Sequence, residues 1–355
     1  MALAWVRIEQ FRCFDTLELE LDPQFNFFVG ANASGKTSLL EALFFLGRGR
    51  SFRSRRLDAL VRQGQREFLV VGRVGSGVGH TTLGVRGTRE GSEFRVAGRA
   101  ALGAAELAEH FPPQIIDPEI HKLLEEAPGS RRRFLAWGVF HAEPVFLETW
   151  QRYHKALRQR NAALKTGLPD DAVRVWDPEV AAAGAALAEQ RRSYLDLLAG
   201  PLRAVGRALL GVEVTTSYHR GWPEDATLQA CLARDLERDR RYRATQHGPH
   251  RADVVVRVEG QVARERVSRG QQKLLAAGLT LAQLELQETE HPGRSALFLD
   301  DPAAELDEAN LERLLACVRR LPVQLVVTSL RPDVPGLPEG GRRFHVEHGR
   351  VQAQG

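Results

Sequence analysis

Residues 25–37 read FNFFVGANASGKT, an apolar strand-like run followed by a glycine-rich loop. The loop fits the pattern G-x-x-x-x-G-K-[ST], in which backbone N–H groups surround phosphates at a helix N-terminus. In that pattern the lysine reaches the outer phosphates and the hydroxyl binds Mg²⁺. The candidate nucleotide-binding residues are Gly30, Ala31, Asn32, Ala33, Ser34, Gly35, Lys36, Thr37 and Ser38. The stretch predicts a P-loop α/β fold that binds a nucleoside triphosphate.

A second motif supplies carboxylates. Residues 296–301 read ALFLDD, an apolar strand that ends in two acidic residues. Beside a P-loop, such a strand would present Asp300 to Mg²⁺ and Asp301 to the attacking water. Taken alone, the segment could also be a buried strand followed by an acidic turn.

The composition sets wider bounds. The chain has 355 residues, 43% of them apolar, which is enough for two domains. No apolar run reaches transmembrane length. The best candidate, residues 180–188, is too short to span a membrane. Cys13, Cys231 and Cys317 lack metal-binding spacing, which predicts buried, reduced thiols in a cytoplasmic protein. A net charge of +4 tilts mildly toward nucleic acid.

The pattern of apolar residues predicts strands first and helices later. Strands are expected over residues 5–8, 17–21 and 25–29, and an antiparallel β layer over residues 67–96. Helices are expected from a Ser130 cap to Trp137, over residues 143–165, and from the Asp177-Pro178 start toward Leu198. The last two would form a short antiparallel arm of roughly 33 Å.

Strands are expected again over residues 254–258, 296–300 and 323–328, separated by helical patterns typical of parallel α/β structure. Asp307 is predicted to cap a helix over residues 308–318. The domain prediction is a head formed by residues 1–115 and 245–355, with a helical arm domain over residues 116–244.

Residues 268–273 read SRGQQK at the start of an apolar helix. A serine and a glycine at a helix N-terminus form a phosphate site. Because the chain then has two such helix ends, the second is predicted to contact the nucleotide of another subunit. Its candidate residues are Ser268, Arg269, Gly270 and Gln271. An ordinary helix cap is the alternative for this motif alone.

GANASGKT, SRGQQK and FLDDPAAELD, in this order, resemble the ABC-type ATPase heads of the SMC-like DNA-repair proteins. FRCFD (11–15), GRGRSFR (47–53), residues 131–161 and HGPHRAD (247–253) make the chain most similar to the bacterial RecF family. The resemblance implies a mixed core sheet, an antiparallel β layer and an inserted helical arm. It also implies ATP and Mg²⁺ as cofactors, an ATP-dependent homodimer, and binding of single-stranded, gapped or junction DNA. RecR and RecO would be partners, with RecA loading as the outcome.

The resemblance also implies roles for individual residues. It places Asp300 on the metal, Asp301 where a catalytic Glu is usual, Gln114 as a glutamine that senses metal and water, Glu305 and Asp307 at the dimer seam, and Arg12 near the nucleotide. The strand that ends at Thr328-Ser329 lacks the histidine of many ABC ATPases. The chain is therefore expected to be a weak ATPase.

The DNA contacts are assigned to an arginine-rich loop. Its members are Arg48, Arg50, Arg53, Arg55 and Arg56. Clustered cations neutralise backbone phosphates, although a solvated loop or an interdomain latch would have the same composition.

Arg131, Arg132 and Arg133 oppose the dipole of their helix and call for an anionic partner. DNA and a head-domain carboxylate are both candidates, and an Arg-rich composition could also explain them. His247 and His250 are predicted to be structural.

Two other functions fit a P-loop of this kind. One is the nucleotide-binding subunit of an ABC transporter, against which the arm, the basic charge and the missing histidine argue. The other is an SMC-like chromosome organiser, which would need a far longer coiled coil than the short arm between the P-loop at Lys36 and the serine motif at Ser268 allows.

Overall fold

The computed structural model describes residues 2–76 and 79–354. The strands are β1 Ala2–Phe11, β2 Phe14–Glu20, β3 Phe25–Val29, β4 Glu67–Ser76, β5 Gly79–Thr88, β6 Ser92–Val96, β7 Arg99–Ala100, β8 Pro113–Ile116, β9 Val214–His219, β10 Asp253–Val258, β11 Gln261–Val262, β12 Ala296–Asp300, β13 Gln324–Ser329, β14 Arg342–Glu347 and β15 Arg350–Gln354. The helices are α1 Lys36–Arg48, α2 Ala104–His110, α3 Lys122–Glu125, α4 Gly129–Ala142, α5 Phe146–Thr166, α6 Asp170–Arg174, α7 Asp177–Leu210, α8 Leu228–Arg234, α9 Leu236–Tyr242, α10 Ala263–Arg266, α11 Arg269–Glu290, α12 Pro302–Glu305 and α13 Glu308–Val318.

The chain folds into two compact units. The first contains the residues up to Ile120 and those from Ala277 onward, and the second contains His121–Ala276. The division falls within α11. The sequence prediction placed residues 245–276 in the head, whereas they lie in the second unit because β10 pairs with β9 there.

The first unit contains a six-stranded sheet in the order β15-β14-β3-β13-β12-β8. Its strands are parallel except for the antiparallel pair β14 and β15. All five residues of β3 are buried, as expected for a strand covered on both faces. The parallel arrangement brings the carboxyl ends of β3, β12 and β13 to one edge. The predicted mixed α/β fold is confirmed.

A second six-stranded sheet in this unit is antiparallel, in the order β2-β1-β4-β5-β6-β7. Its apolar face and the core sheet both pack against α1. Phe11, Phe45 and Phe68 meet edge to face, with ring centroids 5.0–6.5 Å apart. This geometry favours aromatic pairs beyond the area they bury. The predicted β layer over residues 67–96 is therefore confirmed, and it anchors the P-loop helix.

The second unit is built on α5 and α7, which run antiparallel. Arg160 contacts Asp177, and Thr149 lies near Gln190, so positions advance in opposite directions. The predicted end of the third helix near Leu198 is wrong, since α7 continues to Leu210 and contains Pro201. Leu202, Val205 and Leu209 are buried, so packing favours helix beyond the proline.

Two helix starts also differ from the prediction. Ser130 does not cap its helix, because α4 begins at Gly129 and the Ser130 hydroxyl donates to Glu126. The next helix begins at Phe146 instead of Glu143, since Pro144 disfavours helical backbone in the residue before it.

Arg160 ties three helices of this unit together. Its side chain is fully buried, and its Nε lies 2.7 Å from Asp177 of α7. Its Nη1 donates to Asp239 of α9 at 2.6 Å and to Thr245 at 2.8 Å. Removing one member would leave a buried charge uncompensated, so the network specifies how the helices pack.

The prediction that residues 254–258 resume the parallel sheet is wrong. Those residues form β10, which pairs antiparallel with β9 and β11 in a separate three-stranded sheet. The apolar run VVV is short, and a run of this length does not reveal which sheet it joins.

Candidate nucleotide-binding site

The P-loop starts where β3 ends. Gly30 donates to the Ser329 carbonyl at 3.2 Å, which holds the loop against the end of β13. A Cβ at Gly30 would lie 2.2 Å from the Val346 carbonyl oxygen, so no side chain fits there. Gly35 has φ +117°, in the region that favours glycine, and it directly precedes α1. Both glycines are therefore required by the backbone.

Lys36 turns back over the loop. Its Nζ donates to the carbonyls of Gly30 at 2.7 Å and Ala31 at 2.9 Å. Burial lowers the pKa of Lys36, and the nearby Asp301 and Asp300 charges oppose that shift. Ser34 is 5% exposed, and its hydroxyl has no hydrogen-bond partner among the described residues. An ammonium held by two carbonyls and an unsatisfied hydroxyl fit a loop built for phosphate oxygens.

Thr37 and Asp300 meet at the edge of the core sheet. The Thr37 hydroxyl donates to Asp300 Oδ1 at 3.1 Å, and Thr328 donates to the same oxygen at 2.7 Å. Asp300 is opposite Thr328 in the β12–β13 register, which explains the second contact. Burial raises the pKa of Asp300, against the lowering effect of the Thr328 and Thr37 hydrogen bonds. A half-buried hydroxyl in contact with a buried carboxylate supplies the hard oxygen ligands that suit Mg²⁺.

Asp301 follows in a left-handed backbone conformation, with φ +46°. Its N–H donates to Thr328 Oγ1 and to the Thr328 carbonyl, both at 3.1 Å. Its carboxylate accepts from Leu330 N at 3.4 Å. Thr328 thus contacts both acidic residues, a function the sequence pattern did not assign to it.

A cavity of about 380 Å³ joins these groups. Its lining includes residues 32–38, the two aspartates, Glu305, and two residues the P-loop pattern does not include, Cys13 and Arg53. Cys13 is exposed, so the prediction that this thiol is buried is wrong. Its Sγ lies 3.0 Å from where a Cβ of Gly35 would be, because the turn after β1 packs on the loop.

Three other predicted residues make contacts outside this lining in the described part of the chain. Gln114 Nε2 donates to Gln283 at 2.9 Å. Arg12 forms a bidentate pair with the fully buried Glu41, with both N–O distances 2.8 Å. Asp307 caps α13, as predicted, and accepts from Asn310 N at 2.8 Å. The roles of these residues in catalysis and dimerisation remain predictions.

Residues 268–273 (SRGQQK), called the signature segment from here on, start α11 with a reciprocal cap. Ser268 Oγ accepts from Gln271 N at 3.3 Å, and Gln271 Oε1 accepts from Ser268 N at 2.9 Å. This is a capping box with glutamine at the third helical position. Arg269 extends to His121, with 3.3 Å between its Nη2 and His121 Nε2.

The arginine-rich loop after α1 is not uniform. Arg48 is half-buried, with its guanidinium 5.3 Å from the centre of the Phe44 ring. Arg53 lines the nucleotide cavity and lies 3.7 Å from Glu41. Arg56 pairs with Asp58, and Arg50, Arg53, Arg55 and Arg56 are all exposed. DNA binding by this loop remains a prediction.

The basic run in α4 has its acidic partner within the second unit. Arg131 pairs with both oxygens of Asp253, at 2.8 and 3.0 Å. Asp253 lies in the range that the sequence prediction assigned to the head, so a carboxylate of that range is the partner of Arg131, although it belongs to the second unit. His247 binds Asp235 at 2.7 Å and His250 binds Tyr153 at 2.6 Å, as expected for structural histidines.

A P-loop beside a carboxylate-ended strand, in a core sheet flanked by an antiparallel layer, defines an ABC-type ATPase head. The family model described as RecF/RecN/SMC N terminal domain matches residues 2–337. The chain belongs to this family, and within it to the RecF family of DNA replication and repair proteins.

The sequence similarity to RecF proteins extends over 99% of the chain. The chain is 41% identical to the DNA replication and repair protein RecF of Pseudomonas fluorescens strain Pf-5, covering 99% of this chain and 98% of the relative. Identity is 40% with that of Pseudomonas aeruginosa strain LESB58, covering 99% and 97%.

Solved structures show the same fold. A structure of the recombination mediator protein RecF with ATP, from the RecFOR pathway, matches with a TM-score of 0.89 at 27% identity, covering 100% of this chain and 98% of that one. An Smc head bound to the C-winged helix domain of ScpA matches with a TM-score of 0.57 at 15% identity, covering 100% and 97%, which concerns the fold alone. Across the described residues, no helix has the length and hydropathy to cross a bilayer.

Proposed function

We propose that the chain is an ATP-switched DNA-binding protein of recombinational repair. The observation that carries the proposal is the contact between Thr37 and Asp300, 3.1 Å apart although 263 positions separate them. It joins the P-loop to the carboxylate strand in the geometry that a nucleotide with Mg²⁺ requires. The ATP-bound RecF structure with a TM-score of 0.89 supports ATP as the nucleotide.

The residues of this site have different roles in binding the phosphates and the metal. The loop N–H groups and Lys36 bind and orient the phosphates, and Thr37 with Asp300 hold the metal. Bound Mg²⁺ would neutralise charge that develops on the phosphates. Lys36 already lies against the loop carbonyls, so phosphate oxygens would replace these carbonyls as its partners.

Asp301 would orient the attacking water, with Gln114 as a second contact to water and metal. Asp301 is one methylene shorter than the usual glutamate, and Thr328 and Ser329 stand where a histidine is common. A general base displaced by about 1 Å can lose roughly a hundredfold in rate. We therefore expect slow hydrolysis that times release from DNA.

The signature segment would complete the site in trans. Ser268, Arg269, Gly270 and Gln271 of one subunit would face the γ-phosphate bound by its partner, with Glu305 and Asp307 at the seam. ATP would then hold two subunits together around two nucleotides. RecR and RecO would join at DNA gaps or junctions and help to load RecA, as the RecFOR pathway of the structural relative suggests.

The nucleotide assignment is tested by Lys36→Ala. The variant should lose ATP binding, because the phosphate charges lose the ammonium that faces them. Lys155→Ala, which removes an exposed lysine from α5, is the matched control. Equilibrium titration with a fluorescent ATP analogue measures both. Equal affinity in wild type and Lys36→Ala would contradict the assignment.

A further inference from the structure

The HGPHRAD segment forms a rigid turn in the second unit. Gly248 has φ +135°, and its N–H donates to the Gly221 carbonyl at 3.1 Å. A Cβ on Gly248 would lie 2.5 Å from the Tyr153 hydroxyl, and one on Gly221 would lie 2.2 Å from the Gly248 carbonyl. A single 3₁₀ turn, Pro249–Arg251, follows. The backbone therefore has little freedom to move.

Side chains from other elements hold the same turn. His250 binds the Tyr153 hydroxyl through Nδ1 at 2.6 Å and the Thr245 carbonyl through Nε2 at 2.9 Å. Arg191 of α7 donates to the Pro249 carbonyl at 2.8 Å. Arg132 of α4 donates to the Ala252 carbonyl, also at 2.8 Å. Two guanidiniums thus converge on one short turn, and Arg251 is exposed on it.

Within the part of the chain that the structure describes, carboxylates do not balance the charges of these three arginines. In residues 2–76 and 79–354, the neighbouring Arg131 and Arg192 form ion pairs with carboxylates, whereas Arg132, Arg191 and Arg251 form none. Asp253 is the nearby acid, and both its oxygens are engaged by Arg131. With Arg131 and Asp253 included, the group carries four positive charges against one negative charge.

The pKa values nearby agree with an excess of positive charge. Burial, followed by the neighbouring Arg191 charge, lowers the pKa of Arg132, with Asp253 opposing and Arg251 and Arg131 adding to the effect. Burial lowers the pKa of His250 to about 4, although its bond to Thr245 opposes the shift. The imidazole is therefore neutral at physiological pH and adds no charge. The excess comes from guanidiniums, which stay ionised in proteins.

We propose that Arg251, supported by Arg132, binds a phosphate of the DNA backbone. The site lies in the second unit and is separate in sequence from the loop after α1. Guanidiniums offer planar, paired donors that match phosphate, and phosphate is the anion that DNA repeats along its length. Arg191 is 3% exposed and acts as a positioning residue for the turn.

The geometry favours a phosphate contact over base recognition. Arg251 extends from a turn whose backbone is already ordered, so binding orders only one side chain. Its contact with Gln246 Oε1, at 3.3 Å, is long and exchangeable. An exposed guanidinium of this kind, bound to a backbone phosphate, adds affinity without reading sequence. The site would therefore strengthen binding to any duplex or gapped substrate.

The test is Arg251→Glu in the full-length protein, with DNA binding followed by fluorescence anisotropy in the presence of ATP. The affinity should fall by a similar factor for unrelated sequences. The slope of the logarithm of the association constant against the logarithm of salt concentration should become shallower by about 1. Arg251→Lys should keep most of the slope, because it keeps the charge.

Arg238→Glu is the matched control, since it reverses an exposed arginine on α9 of the same unit. ATP affinity and the melting temperature should stay at wild-type values in both variants. Equal DNA affinity and slope for Arg251→Glu and Arg238→Glu would overturn the inference.

The inference rests on the proposed function, but the two fail differently. A wild-type protein that shows no ATP-dependent DNA binding would refute the proposed function itself. If the wild type binds DNA in the presence of ATP, and Arg251→Glu binds DNA as tightly as the Arg238→Glu control, only the assignment of this site is refuted.

Discussion

Glu41 is a fully buried carboxylate in α1, five positions after the P-loop lysine. Arg12 pairs with both its oxygens, the Ser51 hydroxyl donates to it, and Arg53 lies 3.7 Å away. A buried charge needs such partners, because its desolvation costs several kcal/mol. Glu41 thereby joins the turn after β1, the P-loop helix and the arginine-rich loop. Arg53 is exposed like Arg50, Arg55 and Arg56, but it alone among these four lines the nucleotide cavity.

This arrangement predicts different effects for two arginines of the loop. Arg53→Gln should lower ATP affinity about tenfold or more, because a hydrogen bond to a charged group contributes about 1.5–3 kcal/mol. Arg55→Gln should leave ATP affinity unchanged, since Arg55 is equally exposed but is absent from the cavity lining. Equilibrium nucleotide titration of both variants checks the difference. Two variants that bind ATP equally well would place Arg53 outside the site.

The residues of this site differ in how well sequence could predict them. Lys36, Thr37 and Asp300 belong to contiguous patterns whose spacing reflects backbone geometry, and the structure brings them together. Thr328, Cys13 and Arg53 enter the site through strand pairing and loop packing between distant segments. No local pattern records such contacts, so only the folded chain reveals them.

At the scale of elements, α11 begins with a cap that also carries the signature serine. Ser268→Arg should keep ATP binding and lose ATP-dependent dimerisation, because its bulk and charge would fill the proposed phosphate site. Loss of the cap should also cost about 1 kcal/mol of stability. Light scattering with and without ATP measures the dimer.

Thr227→Arg provides the matched control for Ser268→Arg. Thr227 caps α8 by accepting from Ala230 N at 3.2 Å, so the change again replaces an N-cap hydroxyl with arginine. The control should lose similar stability and still dimerise with ATP. If both variants dimerise like wild type, Ser268 has no role in trans.

Elements with strong local signals match their predictions closely. β3, β12 and α13 have the predicted bounds, since buried runs and an Asp307 cap mark them. The end of α7 and the pairing partners of β10 differ from the sequence prediction, because tertiary packing determines both. Leu202 and Leu209 are buried beyond Pro201, and β10 pairs with β9 across a long separation in sequence.

At the scale of the whole molecule, the second unit should be sensitive to acid. The pKa of His250 is about 4 in the folded chain, against a usual value of 6.5, with burial as the main cause. As the pH falls, His250 is therefore protonated at a higher pH in the unfolded chain than in the folded chain. The neutral imidazole contributes stability above pH 6.5, and this is lost as the pH falls toward 4.

The expected result is a melting temperature that declines between pH 6.5 and pH 4. His250→Gln should melt lower at neutral pH, since it disturbs the bond to Tyr153, but it should decline less over this range. His154, whose pKa burial also lowers to about 4, would account for part of what remains. His219→Gln, an exposed change on β9, is the control. Parallel curves for wild type and His250→Gln would contradict the assignment.

The strand order of the core sheet has a consequence for how the protein is made. β3 lies between β13 and β14, so Phe27 pairs with Val327 and with Arg343. A ribosome adding about 5–20 residues per second would need roughly 15–60 s to reach those partners after β3 has emerged. The segment His121–Ala276, which forms the second compact unit, is synthesised in that interval, before the partners of β3 exist. A nascent chain therefore carries its phosphate-binding motif from the start, yet acquires a nucleotide site only when its last strands arrive.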